Sequence, residues 1–320
     1  MQKRRLGTRE LELSEIALGT WGLAAGAYGP LPDAAHGKST EEIFGEVVAR
    51  ALDLGVTTFD MAPLWGDGFS ETAVAKAVGS RRDGMVYVTR AGAAWKRGRA
   101  VTRFEAYDLI SDCESSLRRL DTDRIDLWLL HNPPEHVLSR DDWMRTAVRL
   151  KEDGKIRFWG VSVGDDRAAK QVIEAGADAV CMAYSALNAE DLHVVANEAK
   201  QKGVGVLARS PLAYGLLAGK WQEGKTFGTE DHRAQRWSGH ALRTRLRQVS
   251  NLKFLVHGDV TNMTSAALRY VLANKLVSTA IVGARSTAQI EEAVTGAGTE
   301  PFLPPADLAK IPEAIVSAER

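Results

Sequence analysis

The chain is 320 residues long, 45% hydrophobic and 26% charged, and its 41 Lys and Arg balance 41 Asp and Glu. A zero formal charge supplies no field for gathering nucleic acid or docking on an anionic membrane, and no stretch nears the ~18 consecutive apolar residues of a membrane helix. The basic start, Met1-Gln2-Lys3-Arg4-Arg5, has no apolar run behind it, and Cys113 and Cys181 fall in separate segments that suggest no disulfide framework, so a cytoplasmic, reducing setting is expected.

Lys3–Leu13 reads as a hairpin around a Gly7-Thr8 turn, placed to plug the bottom of a barrel. Short apolar or β-branched runs then recur at Ile16–Thr20, Thr57–Asp60, Met85–Thr89, Ile125–Leu130, Ile156–Ser162, Ala179–Ala183, Val204–Ala208 and Ser278–Val282. Amphipathic stretches alternate with them: Thr40–Leu54, Ser70–Val78, Arg103–Leu120, Asp141–Glu152, Asp166–Ala175, Ala189–Lys202, Thr264–Ala273 and Thr287–Ala297. Continuously apolar strands are buried on both faces, and strict strand–helix alternation means parallel pairing through crossovers. Gly55, Gly154, Gly176 and Gly203 punctuate helix ends, where a left-handed residue is wanted. Ser70-Glu71-Thr72 and Thr102-Arg103-Phe104-Glu105 offer helix caps, the second with a capping-box Glu.

Eight such units also suit a doubly wound open sheet, but Thr20-Trp21-Gly22-Leu23-Ala24 lacks that fold's glycine-rich turn after the first strand. The expectation is one α/β domain over residues 1–320, a (β/α)₈ TIM barrel, whose usual size of about 250 to 400 residues fits. Two connections are long, Leu23–Ser39 and Tyr214–Thr261, and long loops on that face of a barrel carry ligand contacts. The second is basic (Arg233, Arg236, Arg243, Arg245, Arg247) and reads as a solvated helix face rather than a nucleic-acid surface.

Polar residues at strand C-termini are where a barrel keeps its chemistry. Asp60 ends the second strand, Arg90 the third, His131 the fourth and Ser162 the fifth; Cys181 and Tyr184 lie at the sixth, Ser210 after the seventh, Gly283 and Arg285 after the eighth. Singly, Asp60 and Arg90 read equally well as a structural ion pair and His131 as a core histidine. Together on adjacent strands they make a polar cluster in one mouth. No metal site is expected.

Several blocks carry a specific resemblance: Gly55–Ala62, Gly66-Asp67-Gly68-Phe69-Ser70-Glu71, Leu120–Leu127 leading to Leu130-His131, Gly160-Val161-Ser162, Ser210–Leu217 and Ile281–Arg285, with Gln289 and Glu292 behind. In this order, over nearly the whole chain, they resemble the aldo-keto reductase family. That resemblance implies NADP(H)-dependent reduction of a small carbonyl or sugar-like substrate, or the reverse oxidation, and leaves the oligomeric state open. The family's mechanism uses a tyrosine acid, a lysine that lowers its pKa, an aspartate paired with the lysine, and a histidine that orients the carbonyl. Asp60 and His131 match. The tyrosine position is Trp65 and the lysine position Arg90.

Both departures matter chemically. An indole N–H transfers no proton near neutral pH, so positioned acid catalysis, typically ~10²–10⁴ in rate, cannot come from Trp65. Arg90 keeps the charge and can grip Asp60, but its guanidinium does not deprotonate. Two substitutes are conceivable: Tyr28 swinging in from the first loop, or His131 acting as imidazolium. Arg90 near the carbonyl would favour an anionic or polyhydroxylated substrate.

At the nicotinamide end the family usually carries Asn and Gln where Val163 and Cys181 stand, and Tyr184 sits where the resemblance puts a stacking ring, with a core aromatic as the equal alternative. Cys181 is either a reactive thiol or, more commonly for a buried cysteine, inert. The phosphate end is intact: Ser210, Leu212, Gly215 and Leu217 after the seventh strand, and Gly283 and Arg285 before a helix start suited to an anion. Arg285 would pair with a 2′-phosphate, which favours NADP(H) over NAD. Thr20, Trp21, Gln289 and Glu292 complete the implied cofactor contacts, and Ala293 replaces an adenine-contacting Asn. Three readings emerge: an NADP(H)-dependent oxidoreductase with a non-standard acid–base set, favoured on family grounds; a non-reductive elimination, dehydration or isomerisation; or a catalytically silent NADPH-binding sensor or scaffold.

Overall fold

Eight apolar runs pair in sequence order and the ring closes on itself: β1 (Ile16–Gly19), β2 (Thr58–Asp60), β3 (Val86–Ala91), β4 (Ile125–His131), β5 (Ile156–Ser162), β6 (Ala179–Ala183), β7 (Gly205–Arg209) and β8 (Val277–Gly283). This is a computed structural model, and it describes residues 1–24, 26–96, 99–237 and 239–319. All eight pairings are parallel. A barrel helix follows each strand: α1 (Thr40–Asp53), α2 (Phe69–Val78), α3 (Ala106–Leu120), α4 (Asp142–Glu152), α5 (Asp166–Glu174), α6 (Glu190–Lys202), α7 (Met263–Ala273) and α8 (Thr287–Gly296). The chain folds as the parallel (β/α)₈ barrel that its alternation predicts.

The two-residue period of a strand sorts each run into two cores. Phe59, Tyr87, Trp128, Trp159, Val180 and Val206 face outward into the layer shared with the helices. Ala17, Val88, Leu127, Leu129, Cys181, Leu207 and Ile281 face the axis and fill the barrel. Leu6, Leu11 and Leu13 join that inner cluster from below, on a hairpin of Lys3–Arg5 against Glu12–Ser14, so the expected plug is present. Its turn approaches the chain before β7 so closely that a Cβ on Gly7 would lie 2.2 Å from the Gly203 carbonyl oxygen; only glycine fits.

The expected helix caps at Ser70 and Thr102 do not form. α2 starts after left-handed Gly68 and α3 after Glu105, neither with a side-chain cap. The capping box is instead at Ser39 and Glu42, at the start of α1. Three further elements occupy stretches that carry weak periodicity: a hairpin of Ala93–Lys96 with Arg99–Thr102, a helix over Gly239–Asn251 in the second long loop, and a helix over Pro305–Val316. The last two pack through Leu242, Val249 and Ile311. Of the basic stretch expected to be a solvated helix face, Arg236, Arg243 and Arg247 are exposed, whereas Arg233 departs from it: it turns inward to pair with Asp231 and to line a cavity beside Tyr28. No helix among the described residues is long and apolar enough to cross a membrane.

Candidate active site

At the C-terminal end of the barrel the last inward-facing residue of each strand, read by the same alternation, forms one layer: Gly19, Asp60, Arg90, His131, Ser162, Ala183, Arg209 and Gly283. Apart from Thr58 and Thr279, the side chains below are apolar; here two arginines, an aspartate and a histidine converge. This layer is the floor of a cavity of about 570 Å³, roofed by the two long loops.

Arg90 donates from Nη1 to Asp60 Oδ1 at 2.6 Å and to the Met61 carbonyl at 2.8 Å, and from Nη2 to Cys181 Sγ at 3.7 Å. Both members of the pair have side chains only 3% exposed. Burial pushes the Asp60 carboxyl up and Arg90 pulls it back; Asp60 in turn holds Arg90 firmly in its charged form. The far side of the guanidinium is covered by Trp65, whose ring lies 4.9 Å from it. Arg90 is thus enclosed by acceptors and an aromatic face, which spends it on structure and removes it as the main anion contact suggested by its position.

Trp65 sits on a tight turn, its N–H donating to the Ala62 carbonyl, with Gly66 and Gly68 in left-handed conformations that let the chain reverse into α2. The hairpin after β3 braces this turn, since Trp95 Nε1 donates to the Leu64 carbonyl at 2.7 Å. The Trp65 ring meets His131 edge-on at 6.2 Å. His131 lines the cavity, and its Nδ1 is buried with no hydrogen-bond partner. Burial, reinforced by the charges of Arg90 and Arg209, pushes its pKa down to about 3. The imidazole is therefore neutral at physiological pH, and the imidazolium role suggested from sequence is corrected: a neutral ring has one N–H to offer as a hydrogen-bond donor and no extra proton to give.

Tyr28, the other conceivable acid, lines the cavity but keeps different company. It packs edge-on against Trp21 and His232 at 5.3 and 4.6 Å and lies over Arg233 and Arg285. Burial raises its phenol well above the ordinary value, making it a poorer acid. Its backbone pairs with Asp231, and the His232 N–H donates to the Ala27 carbonyl, so the two long loops are laced together over the cavity.

Nearer the floor, Ser162 Oγ donates to Asn132 Oδ1 at 2.9 Å, and Thr20 Oγ1 donates to the Asp60 carbonyl from a fully buried position. Cys181 is buried beneath Arg90, and desolvation pushes its thiol up despite that charge, as burial does for Cys113, pushed up to about 12. In both, burial disfavours the thiolate.

The other end of the cavity is built by the connections after β7 and β8. Ser210, Ala213, Tyr214 and Gly215 all have left-handed φ, which winds this segment into a compact turn around the Leu212 carbonyl. Arg285 donates to the carbonyls of Gly29 and Pro30, and its backbone N–H to Gln289 Oε1 at 2.8 Å. Ser286 caps α8 by accepting from the Gln289 N–H. Glu292 is bound to Lys220 at 2.7 Å.

The structure gathers Asp60, Trp65, Arg90, His131, Trp21, Ser162, Ser210, Leu212, Gly215, Gly283, Arg285, Gln289 and Glu292 around this one cavity. Tyr184 is not among its lining. It points outward, stacks on Tyr270 at 5.6 Å and receives a hydrogen bond from Asn274, which makes it the core aromatic of the two options and corrects the stacking role. Leu217 is buried in the cluster behind the loop, and Thr20 and Cys181 support the floor from beneath. Sequence reasoning missed Arg209 and Asn132. The apolar run of the seventh strand stops at Ala208, one residue short of the strand itself; Leu207 faces inward, so period two puts Arg209 on the floor. Among the described residues there is no group of three or more His, Cys, Asp or Glu that could hold a metal ion.

A model of the Aldo/keto reductase family matches residues 15–315. Aldo-keto reductase YhdN of Bacillus subtilis is 28% identical over 297 residues, covering 91% of this chain and 87% of its own. The structure of the glycerol dehydrogenase AKR11B4 from Gluconobacter oxydans superposes with a TM-score of 0.84 at 25% identity, over 99% of this chain and 95% of that one. The holo form of aldo-keto reductase AKR11C1 from Bacillus halodurans gives a TM-score of 0.79, also at 25% identity, over 98% and 96%.

Proposed function

The chain belongs to the aldo/keto reductase family, and from that premise we propose that it is an NADP(H)-dependent oxidoreductase of small carbonyl or alcohol substrates, acting in the cytoplasm with a non-standard acid–base set. One observation carries this reading: a single continuous cavity runs from His131, Asp60 and Arg90 to Arg285 and the start of α8. The residues fit the cofactor. Arg285 has a permanent charge, no acidic partner among the described residues, and a buried Nε without a hydrogen bond, which suits a 2′-phosphate. The left-handed turn at Ser210–Gly215 and the capped start of α8 suit a pyrophosphate. In this reading Gly283 and Gln289 flank the phosphates and Trp21 and Ser162 the ring end.

When bound, the nicotinamide supplies or accepts the hydride at the carbonyl carbon. The chain's own residues do the rest. Neutral His131 donates from Nε2 to the carbonyl oxygen, polarising it and meeting the charge that develops there. The proton that completes the alcohol comes from water, because Trp65 and Arg90 cannot release one and His131 carries none to spare. The Asp60–Arg90 pair holds the floor rigid and fixes the field around His131.

The test is oxidation of NADPH by a panel of aldehydes and ketones, followed by the near-ultraviolet absorbance of the reduced nicotinamide. Steady turnover of at least one carbonyl is expected, and failure with every carbonyl despite tight NADPH binding overturns the redox reading. The indole at the acid position favours the silent-sensor alternative in that event.

A further inference from the structure

A second cavity, of about 620 Å³, lies between the segment 216–223 and the loop helix Gly239–Asn251, and it shares Trp221 with the cavity over His131. Leu216, Leu246 and Val249 give it apolar lining. Arg243, Arg247 and Lys253 bring three permanent positive charges, and Glu223 is the one carboxylate among its described lining residues. None of the three cations has an acidic partner among the described residues. Cations nearby in the fold do, since Lys220 pairs with Glu292 and Arg233 with Asp231. The sequence explains the imbalance: residues 232–258 contain no Asp or Glu, so nothing close along the chain neutralises these charges, although the whole chain has zero formal charge. Arg245, the other arginine of the helix, is turned aside to donate to Gln248 Oε1 at 2.8 Å. Arg243 and Arg247 stand four positions apart on one face, and like charges at that spacing destabilise a helix unless a counter-charge meets them. A solvated helix face ordinarily interleaves both signs; this one presents a single sign to a concave wall.

We propose that this cavity is a second ligand site, for a small molecule bearing two or more phosphate groups, with Arg243, Arg247 and Lys253 meeting the phosphates. A rise of ~1.5 Å per residue sets Arg243 and Arg247 about 6 Å apart along the helix, a span that suits neighbouring phosphates better than one carboxylate. Their guanidinium forks match phosphate oxygens in pairs, and Lys253 adds a point charge. The opposing wall, from Leu216 to Glu223, closes the space to a size that takes a small molecule. A nucleic acid instead needs a long basic track, which a chain of zero formal charge with one such patch does not offer. The site stands apart from the oxidoreductase reading, and neither depends on the other.

The test is calorimetric titration of the full chain with tripolyphosphate, fructose 1,6-bisphosphate and inorganic phosphate. At least one of the two multivalent anions should bind about tenfold or more tighter than inorganic phosphate, the scale of one added charge-assisted contact. The double variant R243Q/R247Q should weaken that binding about tenfold or more. A control, R145Q/R149Q, removes the same two charges from exposed positions of α4 and should leave it within about twofold. Which multivalent anion leads tells a bare phosphate chain from a phosphorylated organic molecule. Hydrogen exchange on the wild-type protein locates the site without any variant: the leading anion should slow exchange over residues 239–253. No preference over inorganic phosphate overturns the proposal, as does a loss equally large in the α4 control, or exchange over 239–253 that the anion leaves unchanged. A short single-stranded DNA that binds this protein when neither multivalent anion does also overturns it. If R243Q/R247Q fails to fold, the anion preference and the exchange pattern of the wild-type protein still decide.

Discussion

Replacing Asp60 by Asn leaves the shape of the floor and removes one charge from a fully buried pair. With Asp60 Oδ1 and Arg90 Nη1 at 2.6 Å, an effective dielectric constant of ~20 gives a gross attraction of about 6 kcal/mol, most of it offset by desolvation. The variant keeps that desolvation cost on Arg90, whose remaining acceptors are the Met61 carbonyl and a long contact to Cys181 Sγ. Removing one partner of a buried pair costs about 3–5 kcal/mol, a fall in Tm on the order of 10 °C for a chain of this size. The assay is urea and thermal unfolding of Asp60→Asn, Arg90→Met and the double variant, by circular dichroism. The double variant should recover much of the loss, because no unpaired charge is left under Trp65. If each single variant costs under ~1 kcal/mol and the two losses simply add, the pair behaves like a solvated surface bridge and the reasoning about the floor fails.

Acid stability should report His131. Its native pKa is depressed to about 3, so as pH falls below the unfolded value of ~6.5 the unfolded chain takes up a proton that the native chain refuses. Stability is therefore lost at up to ~1.4 kcal/mol per pH unit between those values, and His131→Phe should flatten that part of the profile; an unchanged slope contradicts the assignment. Restoring a transferable proton, with Trp65→Tyr and Arg90→Lys together, should raise reduction of a neutral aldehyde by about 10²–10⁴, and a loss instead would give the indole and guanidinium a positive role in the native reaction. Neither Cys113 nor Cys181 should react with a thiol reagent in the folded protein, and both should on unfolding; rapid labelling of Cys181 in the native state would mean that Arg90 activates it.

The barrel was legible because eight buried strands leave a periodic record. The same record placed Asp60, Arg90 and His131 in one mouth, since each stands as an ionisable residue at the C-terminal end of a short buried run. Errors arose where periodicity is silent or went unused. The hairpin of Ala93–Lys96 with Arg99–Thr102, held to the Leu64 carbonyl by Trp95, and the helix at Pro305–Val316 are stabilised by tertiary contacts rather than by a strong local pattern. Ser70 resembles a cap, yet its hydroxyl donates to the Ala62 carbonyl inside the fold, and Gly68 begins the helix. Tyr184 and Arg209 were both decidable by parity: Cys181 faces the barrel axis, so a residue three positions on faces out, while Arg209 falls two after inward Leu207. The lacing of Tyr28 to Asp231 and of Arg285 to Gly29 joins segments more than 200 residues apart, and nothing local encodes it.

The account depends most on the cavity being shaped around a 2′-phosphorylated dinucleotide, and parallel titration of the purified protein with NADPH and NADH, repeated on Arg285→Ala, asks that directly. NADPH should bind about tenfold or more tighter than NADH, and the substitution should erase the difference while leaving NADH affinity nearly unchanged. Equal affinity for the two nucleotides, or binding of neither, contradicts it.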